Sequence, residues 1–485
     1  MKYSLINPRA VLKNNELLSC IFGRLSVFLS SNKFGIYFSL AYATILVFSF
    51  YPGLLYSDSV NRWNLAIEYY NNGIENFPNY SSHHPVLPSI IQSYFYGLTK
   101  EIGFFIFFQA FMFSYSIFLL VREISAGKYV NVLSVIFLLA PLNVVYSVFH
   151  SFDSLYAVIN IFLVYFLIRF YKKSSLIGFF SIAISIFLLV SVRLNSVLLA
   201  PLIVFFHCYI CFYRKERRRN YFLGGAAIIL FACAPFFITS SLNMRASNSW
   251  VLGFAWEYAN LATKSKNLEH SEFISSLGGS PEDIRNNICY HGIWCGSERA
   301  QFDVAGSNEL SVKTFKEYLK IAITEPKLFI VEKSKYIASL MGVGEPLSNA
   351  EIGKWRTGDW AEQFKKFGFY TNENKEKLVD EYFFFSDIVS IVFQPYKLLI
   401  VGVIVLALLG AMNRAAFYFV SVGFSVSWLY YVTFFITSQN HEFRYFYPVF
   451  FYTQVMLIVF FSEVFFKIER CIFVWRLVLD RKRNS

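Results

Sequence analysis

Charged residues are scarce in this sequence. Asp, Glu, Lys and Arg make up 16% of its 485 residues, whereas soluble domains carry roughly 25%. Apolar residues make up 56%, and they come in blocks of about 20, the length that crosses a ~30 Å hydrocarbon core. One soluble core could not bury such blocks, because too little polar surface would remain to cover it. The low charge therefore excludes a soluble globular domain and predicts that lipid is the solvent.

Several familiar patterns are also absent. Residues 1–33 are polar and basic with no cleavage-like site, so we expect insertion without removal of a signal peptide. The seven cysteines show no zinc-binding spacing. Cys208 and Cys211 lie within an apolar block and are interpreted as packing residues, whereas a disulfide between Cys289 and Cys295 is left open. No internal repeat and no low-complexity segment is visible.

The apolar blocks predict an all-α polytopic membrane protein with about ten transmembrane helices and one long extracytoplasmic loop. A further apolar stretch, 86–99, begins with two prolines and is too short to span, so it is predicted to be a re-entrant or interfacial helix. The predicted spans are 34–54, 102–121, 129–149, 155–171, 175–192, 196–213, 221–240, 388–411, 415–437 and 446–466.

Basic residues predict the orientation. The net charge of +12 would suggest nucleic acid on a soluble protein, but here the basic residues lie in short loops and tails beside apolar spans. We therefore expect no nucleic-acid partner, a multi-pass membrane protein, and both termini in the cytoplasm. The alternate connectors that share this side carry Arg122 and Lys128, Lys172 and Lys173, Arg214 to Arg219, and Arg414.

This orientation divides the chain into segments. The segment 241–387 holds 17 basic and 20 acidic residues and many aromatics, with helix-like stretches at 311–324 and after Pro326, so we expect a small cap on the membrane domain. The predicted organisation is a cytoplasmic segment 1–33, a first bundle 34–240 with an external loop 55–100, the extracytoplasmic cap 241–387, three last spans within 388–466, and a basic cytoplasmic tail 467–485.

Polar residues gather on the predicted external side. Ionisable groups beside hydrocarbon are costly, so they usually face a cavity, pair with one another or carry function. Each has a structural alternative: Asp58 as a helix cap, Asp153 and Arg193 as an ion pair between two turns, and the others as loop or interface residues. Taken together they predict one site. The candidates are Asp58, His84, Asp153, Arg193, Glu257, Glu442, Arg444 and Tyr445.

The same residues resemble a known superfamily, the polytopic GT-C-type glycosyltransferases. The size, the number of spans and the single long loop are similar to serotype-converting O-antigen glucosyltransferases of bacteria and their phages. The resemblance covers most of the chain as architecture, but its motifs are short. They are Tyr51-Pro52-Gly53, Ser57-Asp58-Ser59, Trp63, His84-Pro85, Asp153-Ser154, Arg193-x-Asn195, Glu325-Pro326 and Arg444-Tyr445-x-x-Pro448.

The resemblance implies transfer of a sugar from a polyprenyl-phosphate donor to a lipid-linked glycan such as O-antigen, on the periplasmic side. Asp58 takes the place of the family's acidic residue and is predicted to be the general base. Arg193 and Arg444 are the predicted phosphate clamps, because guanidinium matches phosphate oxygens in bidentate geometry. The family often has two acidic residues here, whereas Asp58 stands between serines. A divalent cation is therefore left open, and no metal ligand is assigned.

The remaining candidates receive supporting roles. His84 is a further donor, and Asp153 or Glu257 would hold sugar hydroxyls or orient an arginine. Glu442 and Tyr445 are placed among the substrate-binding residues. Glucose is the expected sugar, by resemblance alone.

Two other functions compete with transfer. An O-antigen polymerase also has about a dozen spans and external arginines, but it joins whole repeat units. A lipid-linked sugar transporter or flippase usually has polar groups at mid-membrane depth, broken helices and inverted repeats. The spans here are nearly free of charge and no repeat is seen, so the transporter ranks third.

Overall fold

The structure of the chain, a computed structural model, is almost wholly helical. Helix is what a lipid environment requires, because backbone N–H and C=O groups must be satisfied within the spanning segment. The predicted all-α polytopic fold is confirmed. The structure describes residues 31–54, 57–73, 86–125, 129–215, 218–242, 249–276, 288–289, 293–294, 307–344, 346–347, 373–437 and 443–483.

Within those residues, eight helical segments are long and apolar enough to cross a membrane. A bent pair of shorter helices would be a ninth span, and the apolar 17-residue helix α8 would be a tenth. The sequence-based number of about ten is therefore compatible with the structure. The helices are α1 Asn32–Phe50, α4 Ile102–Ile124, α7 Phe152–Lys172, α8 Leu176–Val192, α9 Ala200–Tyr213 after a 3₁₀ turn Leu194–Leu199, α10 Arg218–Ser241, α16 Pro395–Met412, α17 Arg414–Thr437 and α18 Phe443–Arg483.

The span predicted at 129–149 is interrupted by a bend. Two helices, α5 Val130–Leu138 and α6 Pro141–Val148, meet at an angle of 73°. Pro141 has no N–H to donate to the preceding turn, so a helix cannot continue through it undisturbed. The freed carbonyls find other donors: the Asn143 amide lies 2.6 Å from the Phe137 oxygen, and the Tyr42 hydroxyl 3.0 Å from the Leu138 oxygen.

Two further boundaries differ from the prediction. The span predicted at 388–411 begins at Pro395, because a separate helix, α15 Glu373–Val392, ends just before it. The helix of the last predicted span does not end near 466, because α18 continues without a break to Arg483. Most of the predicted tail is therefore helical. The short stretch 86–99 is helix α3 Val86–Thr99, and it packs against α2 Ser57–Asn72.

The basic connectors meet at one end of the bundle. The Lys172 ammonium lies 3.0 Å from the Glu123 carboxylate, and the Arg214 guanidinium donates to the Tyr171 carbonyl. These contacts join the connectors after α4, α7 and α9, as their shared charge predicted. We call this the basic end.

In the part of segment 249–340 that the structure describes, four helices form the cap. They are α11 Leu252–Ala262, α12 Leu268–Ser276, α13 Asn308–Thr324 and α14 Pro326–Leu340, with a two-residue strand pair, β1 Ile288–Cys289 and β2 Ile293–Trp294.

The two cap helices predicted at 311–324 and after Pro326 are confirmed. The Ser307 side chain caps α13, and Pro326 opens α14 at a position where no N–H is needed. The cap contacts the membrane-spanning part through α17, where the Tyr431 hydroxyl donates to the Leu340 carbonyl.

Candidate functional site

A short turn connects α6 to α7. It lies at the end of the bundle opposite the basic end. Its backbone is tied to the chain after α1: Leu54 N lies 2.9 Å from the Val148 oxygen, and His150 N lies 2.8 Å from the Leu54 oxygen. The Gln109 amide of α4 donates to the Phe149 carbonyl at 2.8 Å. Two separate segments therefore hold this turn in place.

Asp153 lies in the first turn of α7 and is fully buried. Its carboxylate oxygens lie 2.6 and 2.5 Å from Nη2 of Arg193, which follows α8. The Ser151 side chain caps α7 by accepting from Asp153 N at 3.1 Å, and the Tyr430 hydroxyl of α17 lies 3.3 Å from Asp153 Oδ1. The ion pair considered from sequence is thus present, and it joins α7, α8 and α17.

Arg193 also reaches the start of α18. Its guanidinium lies 5.5 Å from the centroid of the Tyr445 ring, and the Arg444 guanidinium lies 5.1 Å from the same centroid. The Phe434 ring stacks on Tyr445 at 4.6 Å. The Asn195 amide donates to the Thr433 hydroxyl at 2.5 Å and holds the segment after Arg193 against α17. The structure therefore brings Asp153, Arg193, Arg444 and Tyr445 together.

Sequence reasoning missed a second polar group on the other side of the turn. Arg62 of α2 is buried, with its guanidinium 3.5 Å from the centroid of the Phe152 ring. His150 lies 2.8 Å from the Gln92 amide of α3, and the Ser59 hydroxyl donates to the His150 carbonyl. A signal did exist, because Arg62 follows Asp58 by four residues, the spacing of neighbours on one helix face.

Asp58 is placed by its backbone in the first turn of α2. Ser59, its neighbour, contacts the 149–153 turn, and Arg62, one turn further on, contacts Phe152. The start of α2 therefore lies beside the residue that precedes Asp153. The side chain of Asp58 lies outside the described part of the chain, as do His84 and Glu442.

Glu257 belongs to the cap. Its carboxylate lies 2.6 Å from the Lys333 ammonium, so it braces α11 against α14. Burial raises the pKa of Glu257 above its usual range, while Lys333 opposes the shift. Within the described residues, Glu257 contacts Lys333 and Tyr318 of the cap and is not joined to Asp153 or to the two arginines.

A second buried carboxylate in the cap behaves in the opposite way. Burial would raise the pKa of Glu332, but bonds from Lys264 and Lys335, at 2.6 and 2.8 Å, lower it to about 2. Glu332 is therefore charged at any physiological pH and ties α14 to the segment after α11. Glu325, from the Glu325-Pro326 motif, accepts a hydrogen bond from Ser265 in the same region.

Metal binding is not assigned. Among the described side chains, no group of three His, Cys, Asp or Glu residues could hold a metal ion. The side chains of Asp58, His84 and Glu442 are outside that set, so the structure does not test whether a divalent cation binds there. The pairing of Cys289 also stays open, because Cys295 lies outside the described residues.

The fold and this cluster define a polytopic all-α membrane protein with a polar site at one end of its bundle. No protein-family model matches the chain, and no curated protein shows significant similarity to it.

Proposed function

We propose that the protein is a glycosyltransferase that moves a sugar from a polyprenyl-phosphate donor to a lipid-linked glycan, with its site at the periplasmic face of a bacterial inner membrane. One observation supports this most: two guanidinium groups, from Arg193 and Arg444, lie against a single tyrosine ring. Asp153 already contacts Nη2 of Arg193, and a second guanidinium at the same ring favours an anionic ligand, because planar guanidinium suits phosphate.

The position of α2 supports the same proposal. Its first turn, which carries Asp58, lies beside the turn that leads into Asp153. A carboxylate there would take the proton from the acceptor hydroxyl, a step typically worth ~10²–10⁴-fold in rate. The leaving phosphate would be held by the two arginines. Tyr445 and Phe434 would offer a flat aromatic surface beside the sugar.

The experiment expresses the gene in a bacterium with a defined lipopolysaccharide and determines the glycan by mass spectrometry and linkage analysis. We expect one new side-branch sugar with the wild-type chain and none with Asp58→Asn at equal membrane abundance. Glu68→Gln is the matched control, because Glu68 is an exposed carboxylate on the same helix. Full branching with Asp58→Asn would remove the proposed base. A changed chain length without a branch would identify the polymerase instead.

The arginines are tested by a change that keeps their charge. Arg444→Lys replaces a planar fork with a point charge, so we expect a large loss of branching in the same assay. Arg414→Lys, at the basic end, is the control and should leave branching unchanged. Equal activity of both variants would exclude Arg444 from phosphate binding.

The broken span is a specific observation in favour of the transporter alternative. The 73° bend between α5 and α6 is the kind of interrupted helix that transporters use. The polar groups at the bend are paired with each other, since Asn143 bonds both the Phe137 carbonyl and Gln454. Movement of a lipid-linked sugar between leaflets of proteoliposomes, without a new glycosidic bond, would favour transport over transfer.

A further inference from the structure

The last helix leaves the bundle well before it ends. At the basic end, the Ser125 hydroxyl lies 3.3 Å from the Ser462 hydroxyl and 3.0 Å from the Glu463 carboxylate, and the rings of Tyr129 and Phe465 are 5.4 Å apart. Helix α18 continues from Phe465 to Arg483. At 1.5 Å per residue this is about 27 Å of helix beyond the other spans.

This projecting part carries a regular row of large apolar side chains. Their spacing alternates between four and three residues, which is the spacing of a coiled-coil seam. We call this row the C-terminal stripe. It consists of Phe461, Phe465, Ile468, Ile472, Trp475 and Leu479.

The stripe is exposed along its whole length. Its residues are between 38% and 65% exposed. The preceding position in the same register, Ile458, is buried, so the stripe begins where the bundle ends. The following position is Lys482, which ends the apolar register. Lys467 and Arg470 are also exposed and occupy positions outside the stripe.

We propose that the C-terminal stripe is a parallel coiled-coil interface with a second copy of this chain. A second copy in the same membrane has the same orientation, so a two-fold axis along the membrane normal would place the two stripes side by side. The alternating spacing would then put each stripe residue opposite its counterpart. This inference does not depend on the proposed function.

The exposed area is sufficient for such a pair. Large side chains bury roughly 150–250 Å² each, so six of them at these exposures present about 500 Å² per copy. The pair would bury about 1,000 Å², the lower limit for a specific interface. Lipid is the competing cover, because α18 is apolar enough to span a membrane as far as Trp475 and other exposed apolar residues, such as Phe466 and Phe473, lie outside the stripe.

Cysteine cross-linking in membranes tests the proposal. Cys471, the exposed cysteine of α18, is first replaced by Ser. Single cysteines are then placed on the stripe, as Ile472→Cys or Trp475→Cys, and off it, as Arg470→Cys or Val474→Cys. Facing stripe positions come within the Cα separation of about 5.5–6 Å that a disulfide needs. We expect a dimer band for the two stripe variants and no dimer band for Arg470→Cys and Val474→Cys.

A second substitution shows whether the stripe itself makes the contact. In the Trp475→Cys background, Ile468→Glu should abolish the dimer band, whereas Lys467→Glu, one position off the stripe, should keep it. Equal cross-linking on and off the stripe would overturn the proposal. Absence of a dimer band for the stripe cysteines would also overturn it. If these cysteines were in addition shielded from a water-soluble maleimide, lipid would be what covers the stripe.

Discussion

Removing Arg193 tests the Asp153–Arg193 pair most directly. The Asp153 carboxylate is 0% exposed and the Arg193 side chain 20%. Arg193→Gln leaves that carboxylate buried with only Ser151 and Tyr430 as donors, each at 3.3 Å. Breaking a buried ion pair costs about 3–5 kcal/mol, and the two remaining donors argue for about 3 kcal/mol.

The reverse change should cost less. Asp153→Asn leaves Arg193 partly exposed and still over the Tyr445 ring, so we expect a loss of about 1–2 kcal/mol. In the double variant two neutral amides face each other and no buried charge is stranded. Its cost should fall short of the sum of the single costs by about 2 kcal/mol.

The assay is unfolding in detergent micelles, followed by tryptophan fluorescence for the two single variants and the double variant. Lys172→Met is the matched control. It breaks the Lys172–Glu123 pair at the basic end, where the Lys172 side chain is 45% exposed, so it should cost about 0–1 kcal/mol. Additive costs of the two substitutions, or a cost of Arg193→Gln no larger than that of the control, would refute the reasoning.

The remaining predictions concern the cap, the bend and the aromatic ring. Glu332→Gln should remove acid sensitivity from the cap. The charged carboxylate of Glu332 stabilises the fold at pH values above the ordinary glutamate pKa of 4.5, and this stabilisation is lost as the pH falls towards 2. Hydrogen exchange in α14 from pH 6 to 3 measures this. Asn143→Leu leaves Gln454 without its partner at the bend and should cost about 1–3 kcal/mol of unfolding free energy; Asn143→Leu with Gln454→Met should recover part of it. Tyr445→Leu should reduce branching about tenfold, whereas Tyr445→Phe keeps the ring face and should change it little.

Each of these has a result that contradicts it. The prediction for Glu332 would be contradicted if acid loosened the wild-type cap and the Glu332→Gln cap equally. The double variant at the bend would have to be as unstable as the sum of its parts. The leucine and phenylalanine variants of Tyr445 would have to show the same activity.

The spans were predictable because lipid imposes one simple rule on a sequence. Length and hydropathy alone located most of the helices, including α4 and α7. The bend before Pro141 was missed, although proline is a known helix breaker, because Asn143, Gln454 and Tyr447 pair only in three dimensions. Hydropathy also could not show that α18 continues to Arg483, since the predicted span and its helical extension are both apolar.

The site was predictable in part for a related reason. Asp153 and Arg193 were recognisable because each interrupts apolar sequence beside a span, where an ionisable group is costly. Arg62 was not recognised, although it follows Asp58 by four residues, because α2 is a mixed polar helix in which a charged residue is unremarkable by sequence. Its burial against Phe152 comes from how α2 lies across the turn, which depends on contacts between distant segments.

The structural and functional roles of Arg193 make different predictions for one variant. As a structural group, Arg193 matters because it neutralises buried Asp153, so replacing both residues should restore stability relative to Arg193→Gln. As a phosphate ligand, it matters because its guanidinium lies with Arg444 at the Tyr445 ring, and replacing Asp153 does nothing to restore that cation. The double variant should therefore recover folding but not branching activity. If folding and branching recovered together, the ion pair would be the only role of Arg193, and the phosphate clamp would have to be sought elsewhere.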